Sequence, residues 1–143
     1  MDLSGLTSIT GNQVLYNAFR GCTSLVEVDL SSLTTMAMVA QNAFWYTFQG
    51  CTALKRVYLT KYSSSSGFQP WSQTFAGCTA LELVDYSEAT AVPALTSTNV
   101  FNNTNETFKI VVPDDLYSTW TTASNWSSFS SHIVKVSEYT PAS

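Results

Sequence analysis

The chain has 143 residues and a net charge of −4, from 6 Lys and Arg against 10 Asp and Glu. That length suffices for one domain with its own core, and a hydrophobic content of 45% excludes a disordered tail. The acidic balance excludes a basic surface for nucleic acid or for an anionic membrane. With a single histidine and few carboxylates, the composition predicts a protein that is not an enzyme and needs no cofactor.

The amino-terminal stretch shows neither a signal peptide nor a membrane span. Residues 1–5 lack a basic segment followed by a long apolar one. Residues 2–7, Asp-Leu-Ser-Gly-Leu-Thr, match residues 29–34, Asp-Leu-Ser-Ser-Leu-Thr, at an offset of 27. The chain therefore opens in the middle of a repeat. This predicts a C-terminal piece of a longer protein, and a short protein with a frayed first unit is the alternative. No membrane insertion is expected.

A repeated motif dominates the rest of the chain. Phe-x-Gly-Cys-Thr-x-Leu occurs at residues 19–25, 48–54 and 75–81, and a degenerate fourth copy starts at Phe101. Each copy continues into a short run in which apolar residues recur with the spacing Leu-x-x-Val-x-Leu or close to it, as in a strand with one buried face. A single such strand cannot bury its apolar face, whereas stacked copies can, so the repeat predicts a parallel sheet.

The segments between the strands are predicted to form the return side of each repeat. Residues 12–19 are expected to adopt short helical or 3₁₀ turns, with the phenylalanines stacked as a column in the core. Cys22, Cys51 and Cys78 share one repeat position and are expected to form an inward ladder of small apolar side chains. A disulfide and a metal site are the alternatives, although the chain contains no Cys-x-x-Cys pair. We therefore expect no metal.

The full motif, Ala/Thr-Phe-x-Gly-Cys-Thr-x-Leu-x-x-Val-x-Leu, resembles the BspA-type leucine-rich repeats of bacterial cell-surface proteins. The resemblance covers residues 1–113. It implies an α/β solenoid of about four rungs, in which leucine-rich repeats build a short parallel β-sheet. The units here are longer than the usual repeat of that family, with insertions at residues 36–44 and 63–67. The resemblance also implies an extracellular location, on a bacterial surface or a phage virion.

Residues 114–143 are predicted to form a C-terminal helical cap. Residues 110–113, Ile-Val-Val-Pro, are expected to be the last strand, because proline cannot donate to a further ladder. Asp114 and Asp115 suit the start of a short amphipathic helix that includes Trp120. This tail is similar to those that close leucine-rich-repeat proteins of gut bacteria and their phages.

The outward side chains of successive strands are the candidate binding surface, because solenoids use such arrays for recognition. The rival site is the loop at residues 62–71, since binding residues often lie on loops of this kind. An ordinary solvated sheet face is the alternative to both. The lone His132 lacks the partners of a catalytic triad, so no catalytic residue is predicted. The candidate binding residues are Glu27, Asp29, Arg56, Tyr58, Leu83, Asp85, Lys109 and Trp71.

The function expected from these features is non-enzymatic binding. The resemblance implies a module of a bacterial surface or phage virion protein, with a protein or a glycan on a cell surface as its partner. The alternative is a structural spacer or scaffold segment that has no ligand of its own.

Overall fold

The fold is built on a five-stranded parallel sheet. The computed structural model describes residues 1–36, 42–62 and 71–141. The order of the sheet is β2-β4-β5-β6-β7, and β1 pairs with β3 in a separate parallel pair. The strands are β1 (Ser8–Ile9), β2 (Glu27–Asp29), β3 (Thr35–Met36), β4 (Arg56–Tyr58), β5 (Leu83–Asp85), β6 (Lys109–Val112) and β7 (Ile133–Lys135).

The register follows the repeat motif. Val28 pairs with Val57, Val57 with Val84, and Val84 with Ile110, so the central residue of each strand is buried. The match between residues 2–7 and 29–34 appears in the structure as well, since Asp2 forms a parallel bridge with its counterpart Asp29. The predicted parallel sheet is therefore confirmed, and with its few helices the chain has an α/β architecture.

The return side is a second backbone ladder made of consecutive turns. In the first copy the N–H of Ala18 donates to the carbonyl of Leu15, the i to i−3 bond of a 3₁₀ turn. Alternate N–H groups instead reach the next copy, as Phe19 does to the carbonyl of Thr47 at 3.0 Å. Positive φ angles recur every four residues, at Asn17 and Gly21. Within the described residues up to 81, runs of turns rather than short helices therefore form this side.

The phenylalanines stack as predicted. Phe48 and Phe75 lie with ring centroids 5.8 Å apart and ring planes at 8°. Phe19 and Phe101 extend the column at either end, with centroid distances of 5.7 and 5.5 Å. In the degenerate copy Asn103 stands where the others have glycine, and its φ of 56° keeps the same turn, because asparagine tolerates the left-handed region.

The cysteine ladder is only partly inward. Cys51 and Cys78 are buried, but Cys22 is exposed, so the expectation of three buried cysteines is wrong at the first position. Among the described residues, nothing covers Cys22 on the side of the first copy that faces away from the second copy. Cys51 and Cys78 each have the preceding copy packed on the corresponding side. All three thiols are free.

The carboxyl-terminal region contains one more strand than the sequence predicts. The expectation that residues 110–113 end the sheet is wrong, because β7 pairs in parallel with β6. Pro113 follows β6 and so removes no donor from the ladder between them. The connection contains helix α1 (Tyr117–Thr122), flanked by 3₁₀ segments at Asp114–Leu116 and Trp126–His132.

Two large side chains attach this region to the sheet. Trp120 and Trp126 are fully buried, and their ring centroids lie 5.6 Å apart. The indole N–H of Trp126 donates to the carbonyl of Pro93. The predicted N-cap by Asp114 is not formed. The carboxylate of Asp114 instead accepts the N–H and the hydroxyl of Ser137.

Candidate functional site

The outward face of the sheet carries a groove of about 650 Å³. Its lining has two groups of residues, one from the strands and the residues just before them, and one from the tail after β7. The strand group contains five of the residues predicted from the sequence, namely Arg56, Tyr58, Leu83, Asp85 and Lys109. The tail group contains Tyr139, Thr140 and Pro141. Five of the seven predicted strand-face residues therefore line one concave surface, and Glu27 and Asp29 lie outside it.

The strands position these side chains by their alternation. In β4 the side chain of Val57 points into the core, so those of Arg56 and Tyr58 point away from it. Parallel register then places Arg56 beside Leu83 and Tyr58 beside Asp85 on the neighbouring strand. On β6, Lys109 lies beside Leu83 of β5. The strand side of the groove thus follows from the pairing between copies.

Arg56 is the centre of a charge network at one side of the groove. Its guanidinium lies 3.6 Å from the carboxylate of Glu27 and 3.4 Å from that of Glu82. Lys55 also pairs with Glu82, at 3.6 Å. These side chains remain 36–47% exposed, so each pair contributes only about 0.2–1 kcal/mol to stability. Within the described part of the chain Lys109 has no ion pair, which leaves its charge available to a ligand.

The aspartates of the strand face have a structural role as well. Asp85 accepts the backbone N–H of Ser87 at 2.8 Å, and Asp29 accepts that of Ser31 at 2.9 Å. Each carboxylate therefore closes the turn that follows its strand. Both side chains are half-buried rather than fully solvated. Glu27 and Asp29 are not part of the groove lining, although Glu27 reaches it through Arg56.

Two of the predicted residues are less accessible than expected. Leu83, predicted to point outward from its strand, is only 5% exposed, because it lies in the concave part of the surface that the tail also lines. Trp71 is 2% exposed and stacks on Phe44 with ring centroids 4.4 Å apart. Trp71 is therefore a core residue, and its inclusion as a surface binding residue is wrong. Residues 63–70 of the rival loop lie outside the described residues.

Sequence reasoning missed five residues of the groove lining, namely Glu82, Thr107, Thr140, Pro141 and Tyr139. Tyr139 brings a phenol to the groove. Burial raises the pKa of its phenol, and the nearby Asp85 carboxylate raises it further. Burial likewise raises the pKa of Tyr58, with a further contribution from Glu27. Two neutral phenols therefore border the groove at ordinary pH. Tyr139 lies outside every repeat copy, so no periodicity in the sequence points to it.

In residues 1–36, 42–62 and 71–141, no three His, Cys, Asp or Glu side chains are grouped closely enough to hold a metal ion. His132 packs on Phe108 with ring centroids 4.1 Å apart, and its Nδ1 lies 3.0 Å from the carbonyl of Phe108. These contacts give His132 a structural role in this region.

No helix within the described residues is both long and apolar enough to cross a bilayer. Comparisons with protein-family models, with curated proteins and with solved structures found no match to this chain.

Proposed function

We propose that this chain is a leucine-rich-repeat solenoid of about four rungs that binds a protein or a glycan on a cell surface without catalysing a reaction. The binding site is the groove on the outward sheet face. The observation that carries the proposal is that side chains from three successive strands and from the tail line one concave surface. The BspA-like motif supports a place on a bacterial surface or a phage virion.

The stacking of the copies supports the solenoid. Equivalent residues of the repeat are neighbours in space, in the strand ladder, in the turn ladder and in the phenylalanine column. Such an arrangement presents the same outward positions side by side, and repeat proteins use surfaces of this kind for recognition.

The chemistry of the groove favours a polar ligand without a large net charge. Arg56 and Lys109 supply positive charge, and Asp85 and the adjacent Glu82 supply negative charge. The phenols of Tyr58 and Tyr139 add hydrogen-bonding groups and apolar ring surface. Sugar hydroxyls and peptide groups both donate and accept hydrogen bonds, so they fit this mixture better than a phosphate or a fatty chain does.

A direct binding assay tests the proposal. The labelled chain is applied to intact gut bacteria, epithelial cells, matrix proteins and a glycan array. We expect saturable binding to one of these targets that Lys109→Glu and Tyr58→Ala weaken at least about tenfold, a loss of roughly 1.4 kcal/mol. Lys61→Glu is the matched control, because Lys61 carries the same charge but is not part of the groove lining. The Lys61→Glu variant is expected to bind as tightly as the unchanged chain.

The second candidate function is a structural spacer. A spacer gives no saturable binding at micromolar concentration on any of these targets, and that result would overturn the proposed function. Binding that the groove variants leave unchanged would instead place recognition elsewhere on the chain. Binding to bacteria favours a phage component, and binding to host cells or matrix favours an adhesin.

A further inference from the structure

The first repeat copy has an open backbone edge. Four carbonyl groups on its outer side accept no hydrogen bond from any residue in the described ranges 1–36, 42–62 and 71–141. They recur at every second residue along the turn ladder. These are the carbonyls of Val14, Tyr16, Ala18 and Arg20.

The interior of the fold shows what normally pairs with such carbonyls. The N–H of Leu15 donates to the carbonyl of Ala43 at 3.1 Å, and the N–H of Gly21 donates to that of Gln49 at 2.7 Å. The next interface repeats the pattern, as Gly50 donates to the carbonyl of Ala76 at 2.8 Å. Each copy thus receives N–H groups from the copy before it. The first copy has carbonyls in the receiving positions but no donors within the described residues.

The same end of the molecule exposes apolar side chains. Of five large apolar side chains that the described residues leave exposed, four lie at this end: Met1 at 40%, Val14 at 49%, Tyr16 at 37% and Val26 at 47%. Cys22 is exposed too, whereas its counterparts Cys51 and Cys78 are buried. An apolar patch combined with open backbone acceptors marks an interaction surface rather than an ordinary solvated end.

We propose that this end is a docking surface for a further unit of the same repeat, stacked in the same orientation as the units within the chain. Such a unit supplies backbone N–H groups at every second residue and a phenylalanine that stacks on Phe19. The strand side already continues in that direction, because the N–H of Leu3 donates to the carbonyl of Asp29 at 2.9 Å. The occupant therefore continues an interface that the fold forms repeatedly.

A second copy of the whole chain fits this surface poorly. Two such ends placed face to face bring carbonyls against carbonyls, so neither supplies the missing donors. At the opposite end of the phenylalanine column, Phe129 and Trp126 pack on Phe101, so among the described residues that end is already covered. The occupant must be a repeat unit whose donor side is free.

A fusion tests the proposal on the full chain. A copy of residues 11–27 is joined directly before Met1. Since Asp2 pairs with Asp29, Met1 then takes the position that Val28 has in the next unit. In the appended copy the cysteine is replaced by Cys22→Ser, so that the original Cys22 is the thiol whose alkylation is followed. We expect alkylation of Cys22 under native conditions to slow at least about tenfold, and the thermal midpoint to rise.

A second fusion carries the same appended residues in scrambled order and is expected to leave the Cys22 rate and the midpoint unchanged. The proposal is overturned if both fusions leave Cys22 equally reactive, or if both protect it equally. It is also overturned if the unfused chain dimerises in sedimentation experiments and Cys22 becomes protected as the dimer forms. None of these three results bears on the groove, which lies on another face.

Discussion

The thiol of Cys78 donates a hydrogen bond to the backbone carbonyl of Phe48, with Sγ and O 3.1 Å apart. The next pair along the stack repeats this contact, since the thiol of Cys51 donates to the carbonyl of Phe19 at 3.0 Å. A cysteine at this position is small enough to be buried and still supplies a weak donor. The repeat therefore has a physical reason to carry cysteine where a metal site or a disulfide was the alternative.

The buried thiol makes stability depend on pH in the alkaline range. Burial raises the pKa of Cys78 to about 12, whereas a thiol in the unfolded chain ionises near about 8.5. The contribution to the free energy of unfolding is complete below about pH 8.5 and is lost as pH rises towards 12. We expect urea titrations from about pH 8.5 to 10 to show a fall of up to about 1.4 kcal/mol per pH unit.

The Cys78→Ala variant provides the control for this pH dependence. Its free energy of unfolding is expected to fall less steeply over the same range. In the variant, Cys51 still causes a smaller loss of stability with rising pH, because burial raises the pKa of Cys51 as well. Equal slopes for the variant and the unchanged chain would contradict the assignment to Cys78.

The phenylalanine column predicts a position-dependent loss of stability. Phe75 is 1% exposed and lies between Phe48 and Phe101, so Phe75→Ala leaves a cavity and is expected to cost about 3–5 kcal/mol. Phe19 is half-buried at the end of the column, so Phe19→Ala is expected to cost less than half as much. Chemical denaturation of both variants checks the order, and equal losses would argue against the stacked column.

The glycine of the motif predicts a backbone effect. Gly77 has a φ of 77°, in the left-handed region that side chains with a Cβ rarely adopt. Gly77→Ala is therefore expected to destabilise the chain by about 1–2 kcal/mol. Gly5→Ala is the control, because Gly5 has no positive φ and a Cβ there meets no atom within 4 Å. A thermal melt that shifts equally for both variants would exclude this explanation.

The two buried tryptophans of the carboxyl-terminal region differ in their hydrogen bonding. The indole N–H of Trp126 donates to Pro93, whereas that of Trp120 has no partner among the described residues. Both Trp126→Phe and Trp120→Phe leave a smaller ring. Trp126→Phe also leaves a buried carbonyl unpaired, so it is expected to cost about 1–3 kcal/mol more. Equilibrium unfolding of the two variants measures that difference.

The repeat motif predicted much of the sheet because its spacing repeats a local requirement. The positions of Val28, Val57, Val84 and Ile110 in register follow from the alternation of apolar residues and from the need of each strand for a neighbour. The phenylalanine column follows for the same reason. The motif does not extend to Ile133, so the fifth strand was not predicted.

The candidate site was predicted in part. Alternation along the strands was enough to select Arg56, Tyr58 and Lys109 as outward residues. It was not enough to show that Trp71 is buried, because an aromatic residue beside a serine-rich loop suits either a core or a surface. Nor did it reveal the open side of Cys22, since equivalent repeat positions differ only in what is stacked above them.

By itself, the sequence determined the features that depend on local spacing within the repeat: which residues form β2, β4, β5 and β6, and that the central residue of each is buried. Only the tertiary structure decided how the tail returns. The position of Tyr139 beside Asp85, and with it the concave shape of the groove, results from packing between segments far apart in the chain. Such contacts depend on the path of the whole backbone, which no repeat period encodes.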